Sequence, residues 1–308
     1  MQAAAPPTAA ILFGATATGK TALALQVATR VPIEVISADS RQVYRQLDVG
    51  TAKPTAEERR AVPHHLVDFL DLECSYTAAR FAADARRLCG EIRARGRVPL
   101  IVGGAGFYLK VLREGLFDAP YSDAELQEVR REVLGWTTEA IRRELAARDP
   151  QRLAAIHPND RYRLARALEI CVASGSSVTA LTAARRAEAQ RFVETCLQIA
   201  RDTLHRRIAS RTEQMLQGGW LEEVRTLLEQ GRDPTSPGFE SLGYPHVVEH
   251  VRGKLDLERC AELVNRDTRR FARHQETWFR KTQATNLEAE DSRNAALLAA
   301  RIEPLLPA

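Results

Sequence analysis

The stretch FGATATGKTALAL, residues 13–25, constrains this chain more than any other. An apolar run, Ala9–Phe13, precedes it and a helical pattern follows, so the segment reads as strand, glycine loop and helix. Within it Gly14, four intervening residues, Gly19, Lys20 and Thr21 spell a phosphate-binding loop, whose backbone N–H groups point at an anion from a helix N-terminus. Only five of the 44 basic residues are lysines, and one of them, Lys20, stands where a compact ammonium suits phosphate better than a guanidinium fork.

The first hundred residues continue the alternation. Strands are expected at Ala9–Phe13, Ile33–Ser37, near His65–Phe69 and at Val98–Val102, with a helix from about Tyr76 to Arg95 that carries Phe81, Ala85, Leu88 and Ile92 on one face. This βα repeat implies an α/β fold of the P-loop type, a parallel sheet with flanking helices. From about Leu116 to Arg191 the pattern is helical throughout. Ser122 and Glu125 form a capping box, Asp149-Pro150 and His157-Pro158 interrupt the run, and Leu164, Leu168 and Cys171 share a helix face. Phe192–Ala200 then reads as a strand that returns the chain to the sheet, before helices near Leu204–Leu216, Leu221–Leu228 and Leu257–Arg280. The expected organisation is a first part of the P-loop core over residues 1–115, an all-helical insertion over 116–191, and completion of the core with C-terminal helices over 192–308. The Ala/Pro-rich start and an exposed C-terminal tail lie outside that pattern.

At 308 residues, 44% hydrophobic and 27% charged, the chain can bury one large core and a smaller one. No apolar run approaches the roughly 18 residues of a membrane span, and MQAAAPPTAA lacks a charged segment followed by a long apolar one, so a cytoplasmic protein without a membrane partner is expected. The five cysteines are far apart with no C-x-x-C pair, which suits reduced thiols rather than zinc or disulfides. Net charge is only +4, yet basic residues cluster in HPNDRYRLARALE and TRRFARHQETWFRK. Such stripes fit a polyanion partner, or solvated helix faces.

Asp39, in ISADSRQVY, falls at the carboxyl end of a parallel strand, the edge where open α/β sheets bind ligands. It is the best candidate for a general base; capping the following turn, or reaching a metal through water, is the alternative. Many hydrolytic P-loop proteins end a later strand with an Asp that helps hold Mg²⁺. Here VPLIVGGAGFY ends in Gly103, Gly104, Ala105 and Gly106, which allow either a close ligand or a tight turn into a helix.

Several phrases together resemble one family, the tRNA dimethylallyltransferases or isopentenyltransferases: GATATGKT, ISADSRQVYRQLDVGTAKP, HHLVD, VGGAGFY, HPNDRYRLARALE and TRRFARHQETWFR, spanning about Ile11 to Arg280 in family order. The resemblance implies transfer of a dimethylallyl group from its diphosphate to N6 of the adenosine immediately 3′ of the anticodon in tRNA. The loop Gly14, Ala15, Thr16, Ala17, Thr18, Gly19, Lys20, Thr21 would then hold a leaving diphosphate, with Mg²⁺ on Thr21, and Asp39 would accept the amine proton. It implies a diphosphate-contacting arginine in LHRRIASRTEQML, where Arg207 and Arg211 share a face; Arg211 is the choice. It assigns tRNA contact to Asp39, Ser40, Arg41 and Gln42, to Ala105, to Tyr162, Arg163 and Arg166, to Gly243 and Tyr244, and to Arg273, Gln275, Trp278 and Arg280. Trp278 could equally anchor a core. The partners implied are dimethylallyl diphosphate and the anticodon stem-loop, bound by a monomer whose helical insertion closes over the anticodon arm after the adenine flips out of its stack. The chain departs from the usual family pattern at Ala105, Phe107, Tyr162, Pro245 and His274. A small-molecule kinase using the same loop, or a nucleotide-gated RNA-binding switch, are the rival readings.

Overall fold

The computed structural model describes residues 8–117, 120–184 and 191–307. Residues 1–7 of the Ala/Pro-rich start lie outside the described residues, as do 118–119 and 185–190 of the expected insertion. The chain divides into two units, Met1–Arg113 with Ala189–Ala308, and Glu114–Glu188.

The first unit runs β1 (Ala9–Gly14), α1 (Lys20–Ala28), β2 (Ile33–Ala38), α2 (Ala56–Ala61), β3 (His64–His65), α3 (Ala78–Ala94), β4 (Val98–Gly103) and α4 (Gly106–Glu114). The second unit holds α5 (Asp123–Leu134), α6 (Thr138–Arg148), α7 (Pro150–Ala154), α8 (Arg161–Ser174) and α9 (Val178–Ala184). The chain then returns as β5 (Phe192–Gln198), α10 (Arg201–Met215), α11 (Leu221–Glu229), α12 (Tyr244–Val251), α13 (Leu257–Phe279), β6 (Thr285–Glu288) and α14 (Asn294–Ile302).

The six strands form one sheet in the order β3-β2-β4-β1-β5-β6, and every neighbouring pair is parallel. All residues of β1, β2 and β4 are buried, as expected of parallel strands covered on both faces. On one face Phe13, Ile36, Phe81, Ile92 and Leu109 pack with Trp220 and Tyr244; on the other Leu12, Leu23 and Val27 pack with Leu298 and Ile302. A buried carboxylate, Glu34, sits at the opposite end of β2 from Asp39. It receives Arg95 Nε and Nη2 at 2.9 and 2.6 Å and His65 Nε2 lies at 2.7 Å, contacts that hold its pKa low despite burial.

Two expectations need correction. The strand near His65–Phe69 shrinks to two residues, because Leu66 and Asp68 take positive φ angles of 59° and 61°, which end the extended backbone. The C-terminal segment is no exposed tail. It forms edge strand β6 and helix α14, whose Leu298 and Ile302 are fully buried. β6 has a single buried residue, Leu287, too little alternation to read as a strand.

The helical unit has its own core, built on Val133, Ile141, Leu145, Leu164, Leu168 and Cys171. The Ser122–Glu125 capping box opens α5. Asp149 is buried at the start of α7; it accepts from Arg152 N, Thr179 N and Thr179 Oγ1, tying α7 to α9.

Candidate functional site

Sheet order decides where the chemistry gathers. β1 lies between β4 and β5, so the loop Gly14–Thr21 leaves the sheet where successive connections run to opposite sides, the place open α/β sheets bind ligands. Ala17 at φ 63° and Gly19 at φ 96° give the loop two left-handed residues, and α1 begins at Lys20. Alternating hands of this kind make a concave nest of N–H groups. Among the described residues, the N–H groups of Thr18, Gly19 and Lys20 have no protein acceptor. Lys20 Nζ donates to the carbonyls of Gly14 at 3.0 Å and Ala15 at 2.7 Å. Burial pushes its pKa down to about 8, opposed by the Asp39 carboxylate and reinforced by Arg211.

Two helices grip the loop. From α10, Arg211 Nη2 donates to Thr16 Oγ1 at 2.8 Å and Arg207 Nη1 to the Thr18 carbonyl at 3.3 Å, so both arginines of the shared face reach it. Burial lowers the Arg211 pKa, with Asp39 opposing. From α13, Gln275 Oε1 accepts from Thr16 N at 2.8 Å. Lys20, Arg211 and Asp39 thus lie within electrostatic reach of one another.

Asp39 stands just beyond β2, with the end of β4 between it and the loop strand. Its Oδ1 accepts from Arg41 N at 2.8 Å and Gln42 N at 3.3 Å, so Asp39 does cap the turn that follows, while the charge still acts on Lys20 and Arg211. The following segment is braced by its own side chains. Gln42 Nε2 donates to the carbonyls of Thr51 and Ala52, and Arg41 Nη1 donates to that of Pro237. Lys53, buried, binds the Tyr44 carbonyl at 2.7 Å and Asp68 at 2.8 Å. Glu223 of α11 accepts from Asp48 N and Val49 N, both at 2.8 Å, and from Tyr244 Oη at 2.6 Å. Neither Lys53 nor Glu223 was singled out from sequence; the scarcity of lysine was the available signal for the first.

The glycines after β4 serve close packing. A Cβ on Gly103 would lie 2.1 Å from the Ala38 carbonyl oxygen, and one on Gly106 would lie 3.1 Å from the Trp278 ring. Ala105 donates its N–H to the same Ala38 carbonyl at 3.1 Å.

The residues expected on RNA fall into two groups. Gly243 and Tyr244 are placed in the interior: Tyr244 is fully buried against Trp220 and Phe239, and a Cβ on Gly243 would meet Trp220 at 2.4 Å. Gln275, 6% exposed, spends its carboxamide on protein backbone. These three do not reach solvent. Arg273 and Arg280 do; with Arg201, His205, Arg266 and Arg269, and the carboxylates Glu262 and Glu276, they line a groove of about 630 Å³ between α10 and α13. Among the described residues Arg201, Arg269, Arg273 and Arg280 have no acidic partner. Trp278 is 37% exposed, half anchor and half surface. In the helical unit Tyr162 is 79% exposed, Arg163 pairs with Asp160 and Arg166 with Glu169. Ser40 is half-buried.

A concave nest of backbone N–H groups at the switch point of a parallel sheet, flanked by two arginines and faced by a carboxylate, defines an α/β protein whose sheet edge sets cations and a carboxylate side by side. The IPP transferase family model matches residues 42–282, and an isopentenyl transferase model matches residues 7–69. The chain is 43% identical to the tRNA dimethylallyltransferase of Paraburkholderia xenovorans, over 99% of this chain and 100% of that one. The crystal structure of the tRNA isopentenylpyrophosphate transferase from Bacillus halodurans is similar at 34% identity and a TM-score of 0.70, covering 97% of this chain and 98% of that one. A eukaryotic dimethylallyltransferase, captured acting on tRNA, gives a TM-score of 0.79 at 25% identity, over 96% of this chain and 78% of that one. This chain belongs to the IPP transferase family.

Proposed function

We propose that the chain transfers the dimethylallyl group of dimethylallyl diphosphate to N6 of the adenosine immediately 3′ of the anticodon in tRNA, acting as a cytoplasmic monomer. The observation that carries this reading is the convergence of Lys20, Arg211 and Asp39 at one sheet edge: cations on the loop for a departing diphosphate, and a carboxylate beside them for the amine. Among the described residues no single helix is long and apolar enough to cross a membrane. The kinase and switch readings have no support among the relatives.

As the allylic C–O bond breaks, negative charge grows on the bridging oxygen. Loop N–H groups and the Lys20 ammonium stabilise that charge where it develops, Lys20 exchanging two loop carbonyls for phosphate oxygens. Arg211, held on Thr16 of the loop, would lie beside the same phosphates. The N6 lone pair forms the new C–N bond and its proton passes to Asp39. The Asp39 Oδ1 bonds to two backbone N–H groups fix the orientation of the carboxylate, and its second oxygen is the proton acceptor.

Mg²⁺ fits this site as a metal carried by its ligand. Among the described residues no group of three His, Cys, Asp or Glu could cage it, and Mg²⁺ commonly uses one or two protein oxygens plus phosphates and water. The Thr21 hydroxyl would supply the protein oxygen, and the ion would add positive charge beside the leaving diphosphate.

The test is to incubate the protein with Mg²⁺, labelled dimethylallyl diphosphate and an anticodon stem-loop bearing adenosine 3′ of the anticodon, with Asp39→Ala and ATP in place of the allylic donor as controls. Label in the RNA that requires Asp39 is expected. ATP turnover or phosphoryl transfer without prenylation would sink the reading.

A further inference from the structure

The buried stripe of α13 is Cys260, Val264, Thr268, Ala272, Gln275 and Phe279. Thr268 turns its hydroxyl back onto the Val264 carbonyl at 2.7 Å, within its own helix. Gln275 reaches two other elements: Oε1 accepts from Thr16 N and Nε2 donates to the Gly104 carbonyl, both at 2.8 Å. A buried carboxamide is costly unless both its ends are paired. Here the partners are the third residue of the phosphate loop and the backbone just beyond β4, which lies between the loop strand and the strand carrying Asp39. Gly104 is shaped for this contact, since a Cβ there would lie 2.3 Å from Gln275 Nε2. Thr16 is gripped a second time through its hydroxyl by Arg211. On the same helix Arg273, two residues before Gln275, is exposed, and Trp278, three residues after it, packs on Gly106 and remains 37% exposed.

We infer that Gln275 is a positioning residue that couples the outer face of α13 to the phosphate loop, so that RNA on the helix and diphosphate in the loop each change the affinity for the other. The inference rests on the reading that the chain takes a diphosphate donor and an RNA acceptor. A helix moves as a stiff element. Any displacement of α13 by RNA therefore carries the Gln275 amide with it, and the amide carries Thr16, on which the loop and the Arg211 guanidinium both depend. Linkage makes the effect reciprocal in the two affinities.

The test measures inorganic pyrophosphate binding to the full-length protein with Mg²⁺ by calorimetry, with and without an unmodified anticodon stem-loop. In the unmutated protein the stem-loop is expected to tighten pyrophosphate by about tenfold. Gln275→Met keeps the length without the amide, and Gln275→Glu keeps the acceptor for Thr16 but cannot donate to Gly104. Both are expected to bring the ratio to about one, with stem-loop affinity alone changed less than about twofold. Gly104→Ala, which displaces the amide from its other end, is expected to lose the coupling in the same way. A Gln275 that only stabilises the fold would lower the melting temperature and leave the ratio intact, and that result overturns the inference. So does a ratio of one in the unmutated protein with both ligands bound. A protein that binds neither pyrophosphate nor stem-loop would overturn the transfer reading, and this inference with it.

Discussion

Lys20 is the charge in the site most sensitive to alkali, because burial holds its pKa at about 8, below the ordinary 10.5. Below about 8 both folded and unfolded chains keep the proton, so this group adds no pH dependence to stability there. Between about 8 and 10.5 the unfolded chain binds more protons, and stability rises with pH on this group's account. Donor capture runs the other way, since the neutral amine no longer attracts diphosphate. kcat/KM for dimethylallyl diphosphate, which reports the free enzyme, is therefore expected to fall above about pH 8, while kcat, reporting a complex in which phosphate restores the proton, holds to higher pH. A kcat/KM profile flat through pH 9.5 would exclude Lys20 as the donor's partner. Asp39 separates turn geometry from charge. Asp39→Asn retains an oxygen for the N–H groups of Arg41 and Gln42 but cannot take the amine proton. Its kcat is expected to fall by about 10²–10⁴-fold, with the melting temperature close to that of the unmutated protein. Because the Asp39 charge also raises the Lys20 pKa, the alkaline fall in kcat/KM should move to lower pH in that variant.

At the scale of elements, α12 shows how a motif that resembles an RNA contact can belong to packing. Gly243 caps the helix at φ 89°, and its missing side chain makes room for Trp220, which stacks edge-on against Tyr244. Gly243→Ala combines left-handed strain with overpacking and is expected to cost about 2–4 kcal/mol, read as a lower urea midpoint at unchanged m value. Affinity for tRNA per folded molecule should not change; a stable variant with weakened tRNA binding would return Gly243 to the RNA surface. Glu223→Gln loses one of the acceptors that hold Asp48 N, Val49 N and Tyr244 Oη, and should cost about 1–3 kcal/mol by the same measurement. The same contrast explains what was legible in the sequence. β1 and β4 are continuous apolar runs, and β2 is one apart from Glu34 and Ser37, because both faces of the sheet are covered; α3 shows its buried face at helical spacing. Lys20, Thr21 and Asp39 could be placed because loop spacing and strand end fix their positions locally. The work of Gln275 and Glu223 could not, because their partners lie far along the chain, at Thr16 and Asp48, and that of Lys53 could not, because Tyr44 and Asp68 reach it across irregular backbone with no regular spacing. β3 was overread because the positive φ of Leu66 and Asp68 has no signature in an apolar run.

For the whole molecule, a net charge of +4 is too small to drive tRNA binding by itself, so affinity has to come from where the charge is concentrated. The groove between α10 and α13 is such a place. Arg201, Arg269, Arg273 and Arg280 converge there without an acidic partner among the described residues, whereas Arg166 is engaged by Glu169 and Arg163 by Asp160. The arginines of that groove outnumber its two carboxylates, Glu262 and Glu276, so the cations there repel one another on balance, and a phosphodiester backbone relieves that repulsion while releasing its own counterions. Arg273→Gln with Arg280→Gln is therefore expected to weaken tRNA binding and to reduce the slope of log affinity against log salt by about 1–2. Both residues lie outside the loop contacts, so KM for dimethylallyl diphosphate and kcat at saturating tRNA should stay within about twofold. Arg163→Gln and Arg166→Gln, already partnered by carboxylates, are expected to change the salt slope less. If the slope were unchanged in the α13 double variant and reduced in the α8 pair, the polyanion contact would belong to the helical unit, and the α10–α13 groove would be a solvated surface.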